Sequence, residues 1–284
     1  MQTQLIECPR DAMQGWKDFI PTSQKIAYIQ SLLQVGFHTL DAGSFVSARA
    51  IPQMADSAAV FESLDTSNTK TKLLAIVANE RGAQEAVTFS IIRYIGFPFS
   101  ISETFQQRNT NSSISESFER LKAIVDTCGI HGKEPVVYLS MGFGNPYNDP
   151  WSPSLAADWA GRIAGLGVKI ISLADTVGLA DPVQVAASTR ELIAALPDVE
   201  VGVHLHSSPL NWQQKLDAAL AAGCRRIDGA LNGIGGCPMA GDELVGNMDM
   251  AMMIPYLEGK GIADGINQEA LRESLRLASI IFSH

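Results

Sequence analysis

The chain has 284 residues, of which 46% are hydrophobic and 18% charged, and this is the composition of an ordinary globular protein. Its net charge of −9 at pH 7 argues against a nucleic acid or an anionic membrane surface as a partner, because both would repel it at long range. No apolar stretch approaches the roughly 20 residues of a membrane span, and the N-terminus lacks the pattern of a secretory signal. We therefore expect a cytoplasmic protein with reduced thiols, with a cleaved organellar transit peptide as the alternative.

Short β-rich runs recur along the chain, and amphipathic helical patterns lie between them. The predicted strands are Leu5–Pro9, His38–Gly43, Lys72–Val77, Tyr94–Phe97, Val136–Met141, Lys169–Ala174, Val201–His206 and Arg225–Leu231. The predicted helices include Ser23–Val35, Ser115–Cys128, Ser154–Leu166, Pro182–Leu196 and Trp212–Ala222, and Asn267–Ile281 is an additional helix at the end. Ser115 before Glu116 and Asp181 before Pro182 are predicted helix starts.

The alternation of strands and helices implies parallel strands joined by right-handed crossovers. Eight such units in about 250 residues favour a TIM (β/α)8 barrel with an extra C-terminal helix. A doubly wound sheet is the alternative, but the units are evenly spaced and no dinucleotide-binding glycine motif follows the first strand. Because no linker or second domain is indicated, we expect a single domain over residues 1–284.

In a TIM barrel the active site lies at the C-terminal ends of the strands, and polar residues gather at these positions in the sequence. His204 and His206 stand two residues apart at the end of the seventh predicted strand, so their side chains point to the same face. Asp11 follows the first strand and Asp175 the sixth. Two imidazoles beside a carboxylate predict a divalent-metal site. The alternative is a pair of buried histidines that only form hydrogen bonds.

Other candidates at the strand ends have structural alternatives. Arg10 could pair with a neighbouring carboxylate, Asp175 could cap a helix or bond a loop, and Asn247 could be the N-cap of the eighth helix. Cys237 lies in the loop after the eighth strand, where three glycines permit unusual backbone angles and a close approach to a ligand. We interpret this loop as a mobile gate with a thiol at its tip, and an incidental glycine cluster is the alternative.

Six short segments in chain order form a specific combination, although none of them suffices alone. They are Glu-Cys-Pro-Arg-Asp-Ala-Met-Gln at 7–14, Ser-Phe-Val-Ser at 44–47 followed by Ile-Pro-Gln-Met-Ala-Asp at 51–56, Asp-Thr-Val-Gly at 175–178, His-Leu-His at 204–206, Gly-Ile-Gly-Gly-Cys-Pro at 233–238 and Gly-Asn at 246–247. This combination resembles the 3-hydroxy-3-methylglutaryl-CoA lyases, which belong to the DRE-TIM metallolyases.

The resemblance implies a carbon–carbon lyase that cleaves 3-hydroxy-3-methylglutaryl-CoA to acetoacetate and acetyl-CoA, as in leucine degradation. It implies an acyl-CoA thioester substrate and a divalent metal, Mg²⁺ or Mn²⁺ with Zn²⁺ as an alternative, and it leaves homo-oligomerisation open. Arg10 would stabilise the enolate, and His204 or else Asp11 would remove the hydroxyl proton. The implied metal ligands are Asp11, His204, His206 and Asn247, the implied catalytic residues are Arg10, Asp41, Asp175, His204 and Cys237, and the predicted cofactor-binding residues are Gln14 and Asn79.

Three departures from the lyase pattern indicate a divergent branch. Asp41 stands where the lyases carry a catalytic glutamate, and Ser207-Ser208 replaces the Asp-Thr pair that follows their His-x-His. The segment 239–245 is also one residue longer than in the lyases and more acidic. The alternatives are a lyase for a larger 3-hydroxyglutaryl-type thioester, a Claisen synthase that joins acetyl-CoA to a 2-oxo acid, and a metal-binding barrel without catalysis.

Overall fold

Eight parallel strands close into a barrel in sequence order, and β8 pairs with β1 to complete it. The structure is a computed structural model and describes residues 2–236 and 245–283. The strands are β1 Gln4–Glu7, β2 Thr39–Ser44, β3 Lys72–Ile76, β4 Ile92–Ser100, β5 Glu134–Ser140, β6 Ile170–Ala174, β7 Glu200–His204 and β8 Arg226–Gly229. The predicted TIM barrel is therefore confirmed.

Helices surround the barrel and cover its outer face. They are α1 Pro9–Gln14, α2 Thr22–Leu32, α3 Ser57–Ser63, α4 Glu80–Ala86, α5 Glu103–Thr110, α6 Ile114–Ile130, α7 Pro153–Gly165, α8 Pro182–Ala195, α9 Trp212–Ala221, α10 Met250–Gly259 and α11 Gln268–Ile281. The predicted extra helix is α11, which packs against α2, and the hydroxyl of Ser274 on α11 is hydrogen-bonded to that of Ser31 on α2. No helix within the described ranges is long and apolar enough to cross a membrane.

Side-chain caps fix several helix starts. Asp181 accepts a hydrogen bond from the backbone of Gln184 at the start of α8, as the sequence predicts. The predicted start of α6 at Ser115 is wrong, because Ser113 is the N-cap there and forms a capping box with Glu116. The boundary moves by two residues, which does not affect the barrel.

The interior of the barrel is divided between an apolar side and a polar side. The apolar side comes from β3 to β6 and comprises Leu74, Ile76, Tyr94, Val136, Tyr138 and Ile170. On the opposite side, Arg226 of β8 is 1% exposed and contacts Glu200 of β7 and Gln4 of β1. The charged and polar groups on this side therefore come from β7, β8 and β1, where the barrel closes.

Candidate metal centre and active site

The predicted metal ligands meet at the mouth of the barrel, which is formed by the C-terminal ends of the strands. Asp11 lies in the first turn of α1, His204 ends β7, and His206 follows in the next loop. One ligand atom from each of these three residues lies within 4.8 Å of the other two. The ring centroids of the two histidines are 5.4 Å apart. The structure therefore brings together the carboxylate and the two imidazoles that the sequence predicts.

Local backbone contacts hold these residues in place. Proline 9 begins α1 directly after β1 and sets Asp11 at the mouth. His206 forms an isolated antiparallel bridge with Asn247, and the backbone N–H of Ser207 donates to the carbonyl of Gly246 at 2.9 Å. These contacts join the loop after β7 to the segment that precedes α10.

Asn247 is joined to the group of ligands through Asp11. Its Nδ2 donates to Asp11 Oδ2 at 2.7 Å and to the carbonyl of Ile234 at 2.9 Å. Its Oδ1 is buried and has no hydrogen-bond partner among residues 2–236 and 245–283. The N-cap of α10 is Asp249, so Asn247 does not have the alternative capping role.

A buried amide oxygen without a partner is costly, and a divalent cation would satisfy it. One carboxylate, one amide oxygen and two imidazoles form a donor set that suits such a cation. The residues at the mouth therefore fit the implied metal.

Electrostatics at the mouth favour the deprotonated forms of Asp11 and His206. Burial alone would raise the pKa of Asp11, but Arg10, His204 and His206 outweigh it and the pKa is lowered. Burial and the neighbouring His204 lower the pKa of His206 to about 4. An ionised carboxylate and a neutral imidazole are the forms that bind a metal.

Arg10 forms a buried fork with Asp41 and also contacts Asp11. Its Nε donates to Asp41 Oδ2 at 3.0 Å, Nη2 donates to the same oxygen, and Nη1 donates to Asp11 Oδ1 at 3.1 Å. A guanidinium has five N–H groups, so two remain for a ligand. Burial raises the pKa of Asp41, although Arg10 opposes this effect. Asp41 stands where the lyases carry a longer glutamate, and in this structure its carboxylate binds Arg10.

Asp175 lies at the end of β6, but its carboxylate is engaged away from the metal ligands. Oδ1 accepts from the backbone N–H of Ala180 at 3.0 Å, and Oδ2 accepts from Lys215 Nζ at 2.8 Å. Lys215 also donates to the carbonyl of His206 at 2.7 Å. The structure thus shows the loop hydrogen bond that was the alternative for Asp175, and its catalytic role stays a prediction.

The two predicted cofactor-binding residues have different surroundings. Gln14 Nε2 donates to Asp11 Oδ1 at 2.6 Å, so this side chain belongs to the mouth. Asn79 is the N-cap of α4 and accepts from the backbone N–H of Gly82 at 2.9 Å, which accounts for its side-chain oxygen. Their role in binding a cofactor stays a prediction.

The glycine-rich loop approaches the metal ligands closely. Its glycines at 233, 235 and 236 have φ values of 63°, 109° and 130°, as the sequence analysis expects from this segment. At Gly235 a Cβ atom would lie 2.5 Å from Asn247 Nδ2 and 2.9 Å from the carbonyl oxygen of Asp11, so only glycine fits. Cys237 lies outside the described residues, and its predicted role in a gate is a prediction.

Two functional neighbours were not identified from the sequence. Lys215, on α9, is one of them. Asp228 is the other: its Oδ2 lies 3.2 Å from Nδ1 of His204, and its side chain is fully buried. Burial would lower the pKa of His204, but the hydrogen bond and charge of Asp228 raise it. The signal for Asp228 was an acidic residue within the predicted strand Arg225–Leu231.

Comparisons with known proteins show the family to which the chain belongs. The family model described as HMGL-like matches residues 4–278. The chain belongs to the HMGL-like family. It is 32% identical over 259 residues to 3-hydroxy-3-methylglutaryl-CoA lyase, cytoplasmic, from Danio rerio. The match covers 91% of this chain and 76% of that protein. It is 31% identical over 272 residues to (R)-citramalyl-CoA lyase from Chloroflexus aurantiacus, which covers 93% of this chain and 85% of that protein.

A solved structure of an HMG-CoA lyase from Acinetobacter baumannii, in complex with coenzyme A and 3-methylmalate, has the same fold. The TM-score is 0.91 at 28% identity, and the match covers 100% of this chain and 92% of that one. Together with the family match, these relatives identify this HMGL-like protein as a carbon–carbon lyase.

Proposed function

We propose that this HMGL-like protein is a divalent-metal-dependent lyase that cleaves 3-hydroxy-3-methylglutaryl-CoA to acetoacetate and acetyl-CoA. The observation that carries the proposal is the convergence of ligand atoms from Asp11, His204 and His206, together with Asn247, which is hydrogen-bonded to Asp11 and has a buried Oδ1 without a partner among the described residues. Arg10 lies next to this group and has N–H groups to spare. The names of the relatives and the coenzyme A in the Acinetobacter structure support a thioester substrate.

The four ligands would hold Mg²⁺ or Mn²⁺, with Zn²⁺ as an alternative, and when bound the ion would act as a Lewis acid that acidifies the substrate hydroxyl. Asp11 is then the better placed of the two candidates to accept the hydroxyl proton, because a His204 that binds the ion through one nitrogen and donates from the other to Asp228 has no lone pair left. As the C2–C3 bond breaks, negative charge develops on the thioester oxygen. Arg10 is a preorganised cation close enough to the ligand group to stabilise that charge.

The pairing of Arg10 with Asp41 serves this role. Asp41 accepts from both Nε and Nη2, so it fixes the plane of the guanidinium while Nη1 and Nη2 each keep one N–H group. Arg10 is 9% exposed, so its guanidinium is largely shielded from solvent. We propose Cys237 as the proton donor to the resulting carbanion.

A second candidate is the cleavage of citramalyl-CoA, because the citramalyl-CoA lyase is as similar to this chain as the hydroxymethylglutaryl-CoA lyases are. Both thioesters carry a tertiary hydroxyl and a free carboxylate, so both present the same chelating groups to the mouth. They differ by one methylene. We place 3-hydroxy-3-methylglutaryl-CoA first because the sequence motifs resemble that group of lyases. A cytoplasmic role in leucine degradation is part of this first proposal.

Product analysis tests the proposal. The purified protein would receive each thioester with Mg²⁺ or Mn²⁺, and acetoacetate, pyruvate and acetyl-CoA would be followed with a chelator control. We expect metal-dependent acetoacetate from the first substrate and its loss in Asp11→Ala. Pyruvate from citramalyl-CoA alone would favour the second candidate. Bound metal without any product would reject both substrates and leave the metal site intact.

A further inference from the structure

Asp228 lies inside the barrel directly beside His204. The two residues are register partners on the neighbouring strands β7 and β8, so their side chains point to the same face of the sheet. Asp228 Oδ2 lies 3.2 Å from His204 Nδ1, and the carboxylate side chain is 0% exposed. Its other oxygen has no hydrogen-bond partner in the part of the chain that the structure describes. The residue that this buried carboxylate contacts is therefore one of the predicted metal ligands.

The contact limits what the imidazole can do. A neutral imidazole carries its proton on one nitrogen and offers a lone pair on the other. A carboxylate accepts hydrogen bonds, so it selects the form with the proton on Nδ1. Nε2 is then the nitrogen that keeps a lone pair, and His204 has a ring nitrogen within 4.8 Å of the ligand atoms of Asp11 and His206. The ring of Tyr138 packs edge-on against His204 with centroids 5.9 Å apart, and this contact holds the plane of the imidazole.

Asp228 shares the interior of the barrel with a buried cation. Arg226 precedes it by two residues on β8, so both side chains point into the barrel, and Arg226 is itself 1% exposed. The Arg226 guanidinium contacts Glu200 at 3.2 Å through Nη1 only. A buried carboxylate is tolerated when a cation of this kind lies near it.

A competing use of the same residues is a second metal group. Ligand atoms of Cys8, His204 and Asp228 also lie within 4.8 Å of one another. A cation there would take Nδ1 of His204 away from Asp228 and would need a thiolate. Cys8 is completely buried among carboxylates, where a thiolate is disfavoured. The geometry therefore favours a hydrogen bond between Asp228 and His204 over a second ion.

We propose that Asp228 is a positioning residue for the lyase site: it holds the proton of His204 on Nδ1 and thereby directs Nε2 to the ligand group of Asp11 and His206. Carboxylates that bond the outer nitrogen of a ligating histidine raise metal affinity. Asp228 would supply this support from β8, while the residue that follows His206 is the uncharged Ser207. The proposal rests on the proposed function only in taking this group as the metal site.

The first test measures the tautomer directly. The full chain, labelled with ¹⁵N and free of metal, would be studied by long-range ¹H–¹⁵N correlation at mildly alkaline pH, and the signal of His204 would be identified by its loss in His204→Gln. We expect the form with the proton on Nδ1. A His204 signal typical of a proton on Nε2 would overturn the proposal. This test needs no variant at position 228, so it stands even if such a variant does not fold.

The second test measures metal affinity, with Mn²⁺ as the probe and its free-ion EPR signal as the readout. Asp228→Asn keeps the size of the side chain and removes its charge, and we expect its Kd for Mn²⁺ to rise about 10- to 100-fold. Cys8→Ala, a change in the same cluster, should leave the Kd close to that of the parent protein. An unchanged Kd in folded Asp228→Asn would contradict the proposal, and so would an equal loss in Cys8→Ala.

These tests separate the two proposals. The tautomer and the Kd for Mn²⁺ are measured without substrate, so they do not depend on which thioester the protein cleaves. If both match the expectation while neither thioester yields product, the role of Asp228 holds and the proposed function fails. If products form but His204 carries its proton on Nε2, the role of Asp228 fails and the proposed function holds.

Discussion

Two buried ion pairs lie at the mouth of the barrel. Each joins a basic side chain to an aspartate, but the two pairs have different roles. Arg10 pairs with Asp41, and Lys215 pairs with Asp175 at 2.8 Å. Each cation also reaches a predicted metal ligand: Arg10 contacts the carboxylate of Asp11, whereas Lys215 contacts only the backbone carbonyl of His206. The first pair therefore contacts the side chain of a predicted ligand, whereas the second contacts only the backbone of one.

The difference follows from the number of donors that each cation has left. An ammonium has three N–H groups, and Lys215 directs them at three acceptors, Asp175, the carbonyl of His206 and, at 3.4 Å, the carbonyl of Gly178. Its side chain is 1% exposed. Arg10 keeps two of its five N–H groups. A buried cation can act on a substrate only when it has donors to spare, so Arg10 is fitted for chemistry and Lys215 for support.

The largest expected effect comes from breaking the supporting pair. Lys215→Met leaves the carboxylate of Asp175 buried without its cation, and losing one partner of a buried pair costs about 3–5 kcal/mol. We expect urea unfolding to show a loss of this size. Because the carbonyl of His206 also loses its donor, the Kd for Mn²⁺ should rise.

A matched control separates stability from support of the site. Lys25 is also 1% exposed and pairs with Asp56 at 2.7 Å, on the helix α2 rather than beside a predicted ligand. Lys25→Met should lose stability to a similar degree and keep the Mn²⁺ affinity of the parent protein. Equal losses of Mn²⁺ affinity in both variants would show that Lys215 has no specific effect on His206.

Breaking the pair within the site should affect turnover more than stability. Arg10→Lys keeps the positive charge but loses the planar fork that Asp41 holds, and an ammonium that reaches both carboxylates keeps one N–H group where Arg10 keeps two. Removing one preorganised group of this kind lowers kcat by about 10²–10³-fold. Steady-state kinetics on the substrate identified by product analysis would measure the change. A variant that keeps more than a tenth of the parent kcat would contradict the role of Arg10.

The sequence predicted the parts of the molecule that depend on local pattern. Strand spacing gave the barrel, and the two-residue spacing of His204 and His206 gave their common face. The order of strands around a closed barrel then explains why Asp11, from the start of the chain, and Asn247, from near its end, lie side by side. These contacts follow from topology together with short motifs.

Contacts that depend on the register of two strands or on the face of a helix could not be predicted from the local sequence pattern. Asp228 is within a predicted strand, but its pairing with His204 requires the alignment of β7 with β8. Lys215 is four residues into α9, and nothing in its local pattern shows that it points inward to Asp175. No bounds were predicted for the short helices α3 and α4, each of which has only seven residues.

The smallest expected effect concerns Glu7, a buried carboxyl that has no salt bridge within the described residues and so completes the comparison. Its Oε1 accepts from the backbone N–H of Leu231 at 2.9 Å, and burial raises its pKa well above the ordinary value, with Asp249 adding to the effect. The unfolded chain loses this proton near the ordinary pKa, about 4.3, while the folded chain still holds it. The stability that Glu7 contributes is therefore complete below that pH and is lost as the pH rises towards the folded pKa.

Glu7→Gln keeps the acceptor and cannot ionise. The difference in free energy of unfolding between this variant and the parent protein should therefore shift in favour of the variant as the pH rises. Urea unfolding over a pH series would measure this gain, with the exposed Glu62→Gln as the control. Parallel stability curves for Glu7→Gln and the parent protein would show that Glu7 ionises alike in both states.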